Sequence, residues 1–252
     1  MKRTVFITGA SSGFGAGCAR LFAAQGDRLI IAARRKGPLR ELADELGKTT
    51  EVHAVVLDVQ KRAAVREAVD GLPAGFREVD ILVNNAGLAL GLEPAHRANL
   101  DEWETMVDTN VKGLIYCTRL LLPGMVARNR GHVINIGSVA GSWPYPGGNV
   151  YGGTKAFVEQ FSRNLRADLL GTRVRVTCLA PGMAETEFSL VRFKGDAERA
   201  GKVYTGTEAL TAGDVAGIVC WVAGLPPHVN VNTLEVMSVD QAWGPLAVHR
   251  TK

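Results

Sequence analysis

Short apolar runs alternate along the chain with longer stretches of helical periodicity, and this alternation is the main indication of the fold. The apolar runs predict strands over residues 4–8, 28–33, 51–57, 79–83, 132–136, 173–178 and 233–236. Between them, the spacing of apolar residues predicts helices over residues 15–25, 39–46, 62–71, 100–128 and 150–170. Several early strands are apolar on both faces, as strands of a helix-covered parallel sheet should be. The pattern therefore predicts a single α/β domain built on a Rossmann-like, doubly wound parallel sheet with helices on both faces.

One segment, residues 184–206, interrupts the alternation and is rich in charged and small residues. We interpret it as a mobile lid over a substrate site. An ordinary surface insertion would have the same composition, so both interpretations stay open.

The composition is that of a globular domain and narrows the possible functions. Of 252 residues, 46% are hydrophobic and 21% are charged, which excludes a disordered chain. The net charge is +4, but the 29 basic and 25 acidic residues are mostly interspersed, so we expect no nucleic-acid partner. The apolar runs are shorter than the roughly 18 residues that indicate a membrane span. The cysteines are scattered and form no metal-binding motif with histidine, which favours a metal-free protein of the reducing cytoplasm; they are Cys18, Cys117, Cys178 and Cys220.

A glycine-rich turn between the first strand and the first helix predicts a dinucleotide site. Its candidate cofactor-binding residues are Gly9, Ser11, Ser12, Gly13, Phe14 and Gly15. Glycines allow a ligand to approach the backbone closely, and the N-terminus of the following helix suits a pyrophosphate. A purely structural turn is the alternative, but a position directly between strand and helix favours the dinucleotide.

The end of the second strand indicates which dinucleotide is bound. An acidic residue there would bind the ribose 2′-hydroxyl of NAD, whereas arginine accommodates the 2′-phosphate of NADP. This chain has Arg34 and Arg35 at that position. We therefore predict NADP as the cofactor, with a solvated basic turn as the alternative.

The ends of the third and fourth strands add further candidates. Asp58, followed by Val59, could accept a hydrogen bond from the adenine amino group or could cap a helix. Asn85, Ala86 and Gly87 follow the fourth strand and are expected to line the crevice where such sheets bind ligands.

The candidate chemistry lies in Ser138, Tyr151 and Lys155, with Asn110 upstream. Tyr151 and Lys155 are four residues apart, so they share one face of a helix. A phenol with an ordinary pKa near 10 is a poor base at pH 7, and a neighbouring ammonium would favour the phenolate. Ser138 follows the fifth strand and could hold the substrate oxygen. A tyrosine–lysine pair alone is common on surface helices, but together with Ser138 and the glycine turn it predicts an active site.

At this point the sequence resembles the short-chain dehydrogenase/reductase family over nearly its whole length. The shared motifs are TGxxxGxG at 8–15, NNAG at 84–87, Asn110, Ser138, YxxxK at 151–155 and PGxxxT at 181–186. The resemblance implies a sheet ordered 3-2-1-4-5-6-7 and hydride transfer at an alcohol or carbonyl carbon. Where the family often has Ala-Ser before the lysine, this chain has Gly153 and Thr154.

The family's residue roles carry over to matching positions. Tyr151 would be the acid/base, and Lys155 would lower its pKa and bind the ribose. Ser138 would orient the substrate, and Asn110 would position a water in a proton relay. Thr186 would contact the nicotinamide amide, with Pro181 and Gly182 beside the cofactor.

Further stretches resemble one branch of the family, the NADP-dependent 3-hydroxy acid dehydrogenases. They are residues 85–95, 140–145, 187–189, 191–195 and 228–235. This resemblance implies a small 3-hydroxy acid as substrate, a cytoplasmic homotetramer, and subunit contacts through residues 230–252. Arg192 or Lys194 could bind the substrate carboxylate, although a solvated loop would explain these cations equally well. A broad carbonyl reductase of the same family and a catalytically silent NADP-binding regulator are the alternative functions.

Overall fold

A seven-stranded parallel sheet organises the computed structural model, which describes residues 2–243. Its order is β3-β2-β1-β4-β5-β6-β7. The strands are β1 (Thr4–Thr8), β2 (Arg28–Ala33), β3 (Val52–Val56), β4 (Ile81–Asn84), β5 (Gly131–Ile136), β6 (Val174–Pro181) and β7 (Thr233–Val236). The predicted fold class and strand order are confirmed.

Helices cover both faces of the sheet. They are α1 (Gly13–Ala24), α2 (Lys36–Leu46), α3 (Arg62–Asp70), α4 (Leu100–Val107), α5 (Leu114–Ala127), α6 (Asn149–Asp168), α7 (Glu187–Arg192), α8 (Ala197–Lys202) and α9 (Ala212–Gly224). Alternate strand residues enter different cores, because successive side chains of a strand point to opposite faces. Val5 and Ile7 pack with α1, α2 and α9, whereas Phe6 packs with α3, α5 and α6. This double burial explains the apolar character of the early strands.

The predicted helix over 100–128 is divided in the structure. α4 ends at Val107, a π-helical segment spans Asp108–Gly113, and α5 begins at Leu114. The segment lies against the end of β3: a Cβ on Gly113 would stand 2.6 Å from a methyl carbon of Val59. Single π-helical turns inside helices often occur at functional sites. Here the irregular turn contains Asn110.

None of the helices within residues 2–243 is long and apolar enough to cross a membrane. Over the same residues, no cluster of three potential metal-ligating side chains is formed. The four cysteines are buried and unpaired.

Candidate active site

The predicted site residues converge on one cavity of about 680 Å³ at the carboxyl edge of the sheet. Its volume suits a ligand of cofactor or drug size. The predicted residues that line it are Gly9, Ser11, Ser12, Gly13, Phe14, Arg34, Arg35, Asp58, Val59, Asn85, Ala86, Gly87, Ser138, Tyr151, Lys155, Pro181, Gly182, Thr186 and Arg192. Gly15 and Asn110 lie behind this lining. The convergence follows from the parallel sheet, because all its strands end at the same edge.

The glycine turn has the geometry of a phosphate cradle. Gly9 and Gly13 have φ angles of 65° and 52°, a region that favours glycine. Ser12 precedes α1 but its side chain makes no capping hydrogen bond, so the first N–H groups of the helix receive no side-chain acceptor. The turn therefore fits a dinucleotide pyrophosphate at the positive end of the helix dipole.

Thr8 joins this turn to the one after β4, a contact that the sequence prediction missed. Its hydroxyl accepts hydrogen bonds from the backbone N–H of Asn85 at 3.0 Å and of Ala86 at 2.9 Å. The Asn85 amide donates back to the carbonyls of Thr8 and Gly9. A Cβ on Gly15 would meet the Gly9 carbonyl and would stand 2.6 Å from the Asn85 amide nitrogen. Gly15 thus allows close packing of α1 under the turn.

The basic end of the cavity contains an acidic residue that the sequence did not single out. Arg35 donates to the hydroxyl of Ser12 at 2.7 Å and of Ser11 at 3.2 Å. The same guanidinium forms an ion pair with Glu187 at 2.8 Å. Glu187 opens α7, so the 184–206 segment touches the predicted 2′-phosphate site. Asp58, which follows β3, accepts from the backbone N–H of Gln60 at 3.1 Å and lines the cavity.

Tyr151 and Lys155 lie on the cavity face of α6, where both are almost fully buried at 8% and 7% exposed. The Lys155 ammonium donates to the carbonyl of Ile136 at 2.8 Å and lies 5.8 Å from the centre of the Tyr151 ring. Ser138 follows β5 and accepts from the backbone N–H of Ala140 at 3.1 Å. The three predicted chemical residues therefore meet at one end of the cavity.

Burial shifts the pKa values of both ionisable groups of the site, Tyr151 and Lys155, and neighbouring groups oppose the shift of Tyr151. Burial raises the pKa of Tyr151 to about 12, while a hydrogen bond with Ser138 and the positive charge of Arg192 oppose that rise. Burial also lowers the pKa of Lys155 to about 8. Ser138 and Arg192 therefore favour the Tyr151 phenolate. The predicted effect of Lys155, whose ammonium lies 5.8 Å from the ring centre, stays a prediction. Further positive charge near the ring, from Lys155 or from an oxidised nicotinamide, would favour the phenolate more.

Asn110 is fixed by hydrogen bonds behind the cavity. Its amide nitrogen donates to the carbonyl of Leu88 at 2.8 Å and to the hydroxyl of Thr154 at 3.0 Å, and its oxygen accepts from the Leu88 N–H. Thr154 in turn donates to the carbonyl of Tyr151 at 2.7 Å. The position where this chain departs from the usual Ala-Ser therefore connects Asn110 to the tyrosine turn. The role of Asn110 in a proton relay stays a prediction.

Arg192 reaches from α7 into the chemical end of the cavity. Its guanidinium carbon lies 5.1 Å from the ring centres of both Tyr151 and Phe188. One terminal nitrogen donates to the hydroxyl of Tyr145 at 2.9 Å. The Nε atom is buried and has no hydrogen-bond partner. Lys194, in contrast, forms an ion pair with Glu102, so of the two predicted cations Arg192 is the one that faces the site.

Aromatic residues that the sequence prediction missed complete the cavity wall. They include Trp143, Tyr145, Phe188 and Trp243. The indole N–H groups of both tryptophans donate to the carboxylate of Glu235 on β7. The sequence signals were the family resemblance over residues 140–145 and 187–189 and the concentration of aromatic and proline residues in 143–146. Residues 244–252, part of the predicted subunit-contact segment, lie outside the described residues.

Comparison with known proteins tests the family resemblance that the sequence motifs indicated. The family model described as short chain dehydrogenase matches residues 3–196. The chain belongs to the short chain dehydrogenase family. This confirms the resemblance that the sequence motifs indicated.

Individual relatives of this short chain dehydrogenase are similar over almost their whole length. An NADP-dependent 3-hydroxy acid dehydrogenase YdfG of Salmonella typhi is 60% identical over 98% of this chain and 99% of its own. Sulfoacetaldehyde reductase 2 of Chromohalobacter salexigens is 53% identical over 99% of this chain and 100% of its own. A solved serine dehydrogenase, in a closed form complexed with NADP+, is 59% identical and superimposes with a TM-score of 0.95, covering 98% of this chain and 100% of that chain.

Proposed function

We propose that the protein is an NADP-dependent oxidoreductase that transfers a hydride between the cofactor and the 3-hydroxyl carbon of a small 3-hydroxy acid. The observation that carries this proposal is the Arg192 guanidinium, which lies against the Tyr151 ring with a buried Nε that has no partner. A buried, unpaired N–H donor is costly, and a carboxylate would satisfy it. Similarity to 3-hydroxy acid and serine dehydrogenases supports the same substrate class.

The residues of this chain have distinct roles in the proposed reaction. When bound, NADP supplies the acceptor or donor of the hydride. In oxidation, Tyr151 takes the hydroxyl proton, and in reduction it returns that proton to the carbonyl oxygen. Ser138 holds the same oxygen, and Arg192 fixes the acid group so that the 3-carbon faces the cofactor. The 184–206 segment acts as the lid that carries Arg192.

The cofactor is held by two groups of residues. Backbone N–H groups of the turn from Gly9 to Gly13 bind the pyrophosphate. Arg34 and Arg35 bind the 2′-phosphate, since their guanidinium groups lie at the cavity end next to β2. Relatives named as NADP-dependent or complexed with NADP+ support this choice.

An Arg192→Gln variant tests the substrate assignment with a matched pair of substrates, 3-hydroxypropionate and its methyl ester. Because the ester lacks the charge that Arg192 binds, kcat/KM should fall at least about 10-fold for the acid and much less for the ester. Lys202→Gln is the control, since Lys202 belongs to the same segment but pairs with Glu198. Equal losses on acid and ester, or no loss on the acid, would reject a carboxylate site.

Sulfoacetaldehyde reduction is a second candidate function. The anion site formed by Arg192 and Tyr145 suits a sulfonate as well as a carboxylate, and a relative with that activity in its name is 53% identical. Parallel assays with malonic semialdehyde and sulfoacetaldehyde discriminate the two by kcat/KM. A preference of tenfold or more for the sulfonate would replace the proposed substrate class.

We also infer a homotetramer that works in the cytoplasm. Four buried, unpaired cysteines suit a reducing compartment. Exposed aromatic side chains outside the cavity, among them Phe157 and Trp221, suit burial between subunits. Sedimentation velocity at micromolar concentration should give the mass of four chains, and a monomer would reject this assembly.

A further inference from the structure

The ion pair between Arg35 and Glu187 connects two sites that the proposed function keeps apart. Arg35 belongs to the end of the cavity assigned to the cofactor 2′-phosphate. Glu187 opens α7, the helix whose last residue is Arg192 at the substrate end. The two charged groups are 2.8 Å apart. A single short helix therefore contacts the cofactor end through its first residue and the substrate end through its last.

We propose that Glu187 is a specificity-determining residue that competes with the cofactor 2′-phosphate for Arg35 and thereby couples the cofactor to the 184–206 segment. This inference rests on the proposed role of Arg35 as a 2′-phosphate ligand. A carboxylate and a phosphate dianion that share one guanidinium repel each other. The carboxylate at Arg35 must therefore weaken binding of the phosphate there, and the phosphate must weaken the carboxylate's ion pair to the same extent.

The sign of the effect follows from the other contacts of Arg35. The hydroxyl groups of Ser11 and Ser12 accept three hydrogen bonds from its guanidinium. These bonds keep the guanidinium in place without Glu187, so removing the carboxylate leaves Arg35 ordered. The positive charge of the Arg35 guanidinium and one of its N–H donors then become available to the phosphate. Loss of Glu187 should consequently strengthen binding of a 2′-phosphate rather than weaken it.

The affinity for NAD, which lacks a 2′-phosphate, should not depend on the Glu187 carboxylate, because NAD places no dianion at Arg35. Glu187 therefore moderates the preference for NADP over NAD. Conversely, a bound 2′-phosphate should weaken the ion pair between Arg35 and Glu187 and thereby loosen the start of α7. Both side chains are about half exposed, at 48% and 50%, so solvent screening keeps the effect moderate.

Calorimetric titration of the purified protein with 2′,5′-ADP and with ADP tests the competition. The first probe carries the 2′-phosphate, the second does not, and neither reaches the chemical end of the cavity. We expect Glu187→Gln to lower the Kd for 2′,5′-ADP by about 3–10-fold and to change the Kd for ADP by less than about twofold. Glu185→Gln removes the same charge two residues earlier in the same segment and should change neither. An unchanged or higher Kd for 2′,5′-ADP in Glu187→Gln would overturn the competition.

An Arg35→Gln variant tests separately whether Arg35 binds the 2′-phosphate, the assignment on which this inference rests. If Arg35 binds the 2′-phosphate, the Kd for 2′,5′-ADP should rise and that for ADP should not. An equal effect on both probes, or none, would reject the proposed 2′-phosphate site. A selective loss in Arg35→Gln together with no gain in Glu187→Gln would keep the site and reject only the competition.

Amide hydrogen exchange over residues 187–192 provides a readout of the coupling itself. Binding of 2′,5′-ADP to the wild-type protein should speed exchange there, since it weakens the ion pair that holds Glu187. ADP should have no such effect, and in Glu187→Gln exchange should be fast with or without the probe. Slower exchange over these residues on binding 2′,5′-ADP would contradict the coupling.

Discussion

At the scale of single residues, the chemistry depends on the environment of the Tyr151 hydroxyl. Burial raises its pKa to about 12, well above neutral pH, while Ser138 and Arg192 oppose that rise. Lys155, whose pKa burial lowers to about 8, is itself close to losing its charge under mildly alkaline conditions. Tyr151 is therefore a poor base unless nearby positive charge, from Lys155 or an oxidised nicotinamide, favours its phenolate.

Replacing Tyr151 with phenylalanine should lower kcat for alcohol oxidation by about 10²–10⁴-fold, because the proton acceptor is lost. The wild-type rate should rise with pH, since deprotonation creates the base, and this rise should be absent from any residual activity of the variant. Initial rates of NADP reduction between pH 6 and 10 measure both effects. Tyr116→Phe, at a half-buried tyrosine away from the cavity, should retain near-wild-type activity. A Tyr151→Phe enzyme with more than about a tenth of wild-type kcat would contradict the general-base role.

At the scale of elements, the first strand, the glycine turn and α1 form a unit held by close packing. Gly15 lies where α1 passes under the Gly9 carbonyl and the Asn85 side chain, with no room for a methyl group. The turn can face a ligand only because the helix approaches it this closely. The same unit is joined to β4 through the hydroxyl of Thr8, which links the two cofactor-facing turns.

A Gly15→Ala substitution should therefore lower the free energy of unfolding by about 1–3 kcal/mol and weaken NADP binding, because the methyl group displaces the turn. Gly217→Ala is the matched control in α9, where an added Cβ meets nothing within 4 Å. Alanine there should stabilise the protein by about 0.5–1 kcal/mol, since glycine is a weak helix former. Urea unfolding monitored by circular dichroism gives both values. A Gly15→Ala protein as stable as the wild type would show that the turn tolerates the methyl group.

At the scale of the whole molecule, the burial of His132 predicts that stability depends on pH. It lies in β5, 2% exposed, and its Nε2 is 2.8 Å from the hydroxyl oxygen of Thr177. That hydroxyl donates its proton to the carbonyl of Val231, so His132 Nε2 is the donor and Nδ1 has no partner. Burial, with the nearby charges of Arg175 and Arg3, lowers the pKa of His132 well below 6.5.

This depressed pKa gives the pH dependence a definite sign. Below about pH 6.5, His132 binds a proton in the unfolded chain but stays neutral in the folded protein. The free energy of unfolding therefore falls as pH decreases, by at most about 1.4 kcal/mol per pH unit for one site. His132→Gln, which keeps an N–H donor without a titrating ring, should flatten this slope between pH 6.5 and 5. His96→Gln, at a more exposed histidine, should leave the slope unchanged. Denaturant titrations at several pH values would contradict the assignment if wild type and His132→Gln had equal slopes.

The sequence by itself determined the parallel α/β class, the glycine turn, the basic end of β2 and the residues Ser138, Tyr151 and Lys155, whereas the strand order came only through a resemblance. These features are local: each is a periodicity or a motif within one strand–turn–helix unit, and a parallel sheet brings the ends of its strands to one edge without further information. It also placed Arg192 near the substrate, though only through a resemblance.

Only the tertiary structure decided which distant groups surround those motifs. The hydrogen bond between Asn110 and Thr154 and the ion pair of Glu187 with Arg35 join residues far apart in the chain. So does the approach of Arg192, whose positive charge favours the Tyr151 phenolate. The division of the helix at Asp108–Gly113 likewise brings Gly113 against Val59. Such contacts depend on side-chain packing between elements, and packing depends on three-dimensional distances that no local pattern of residues encodes.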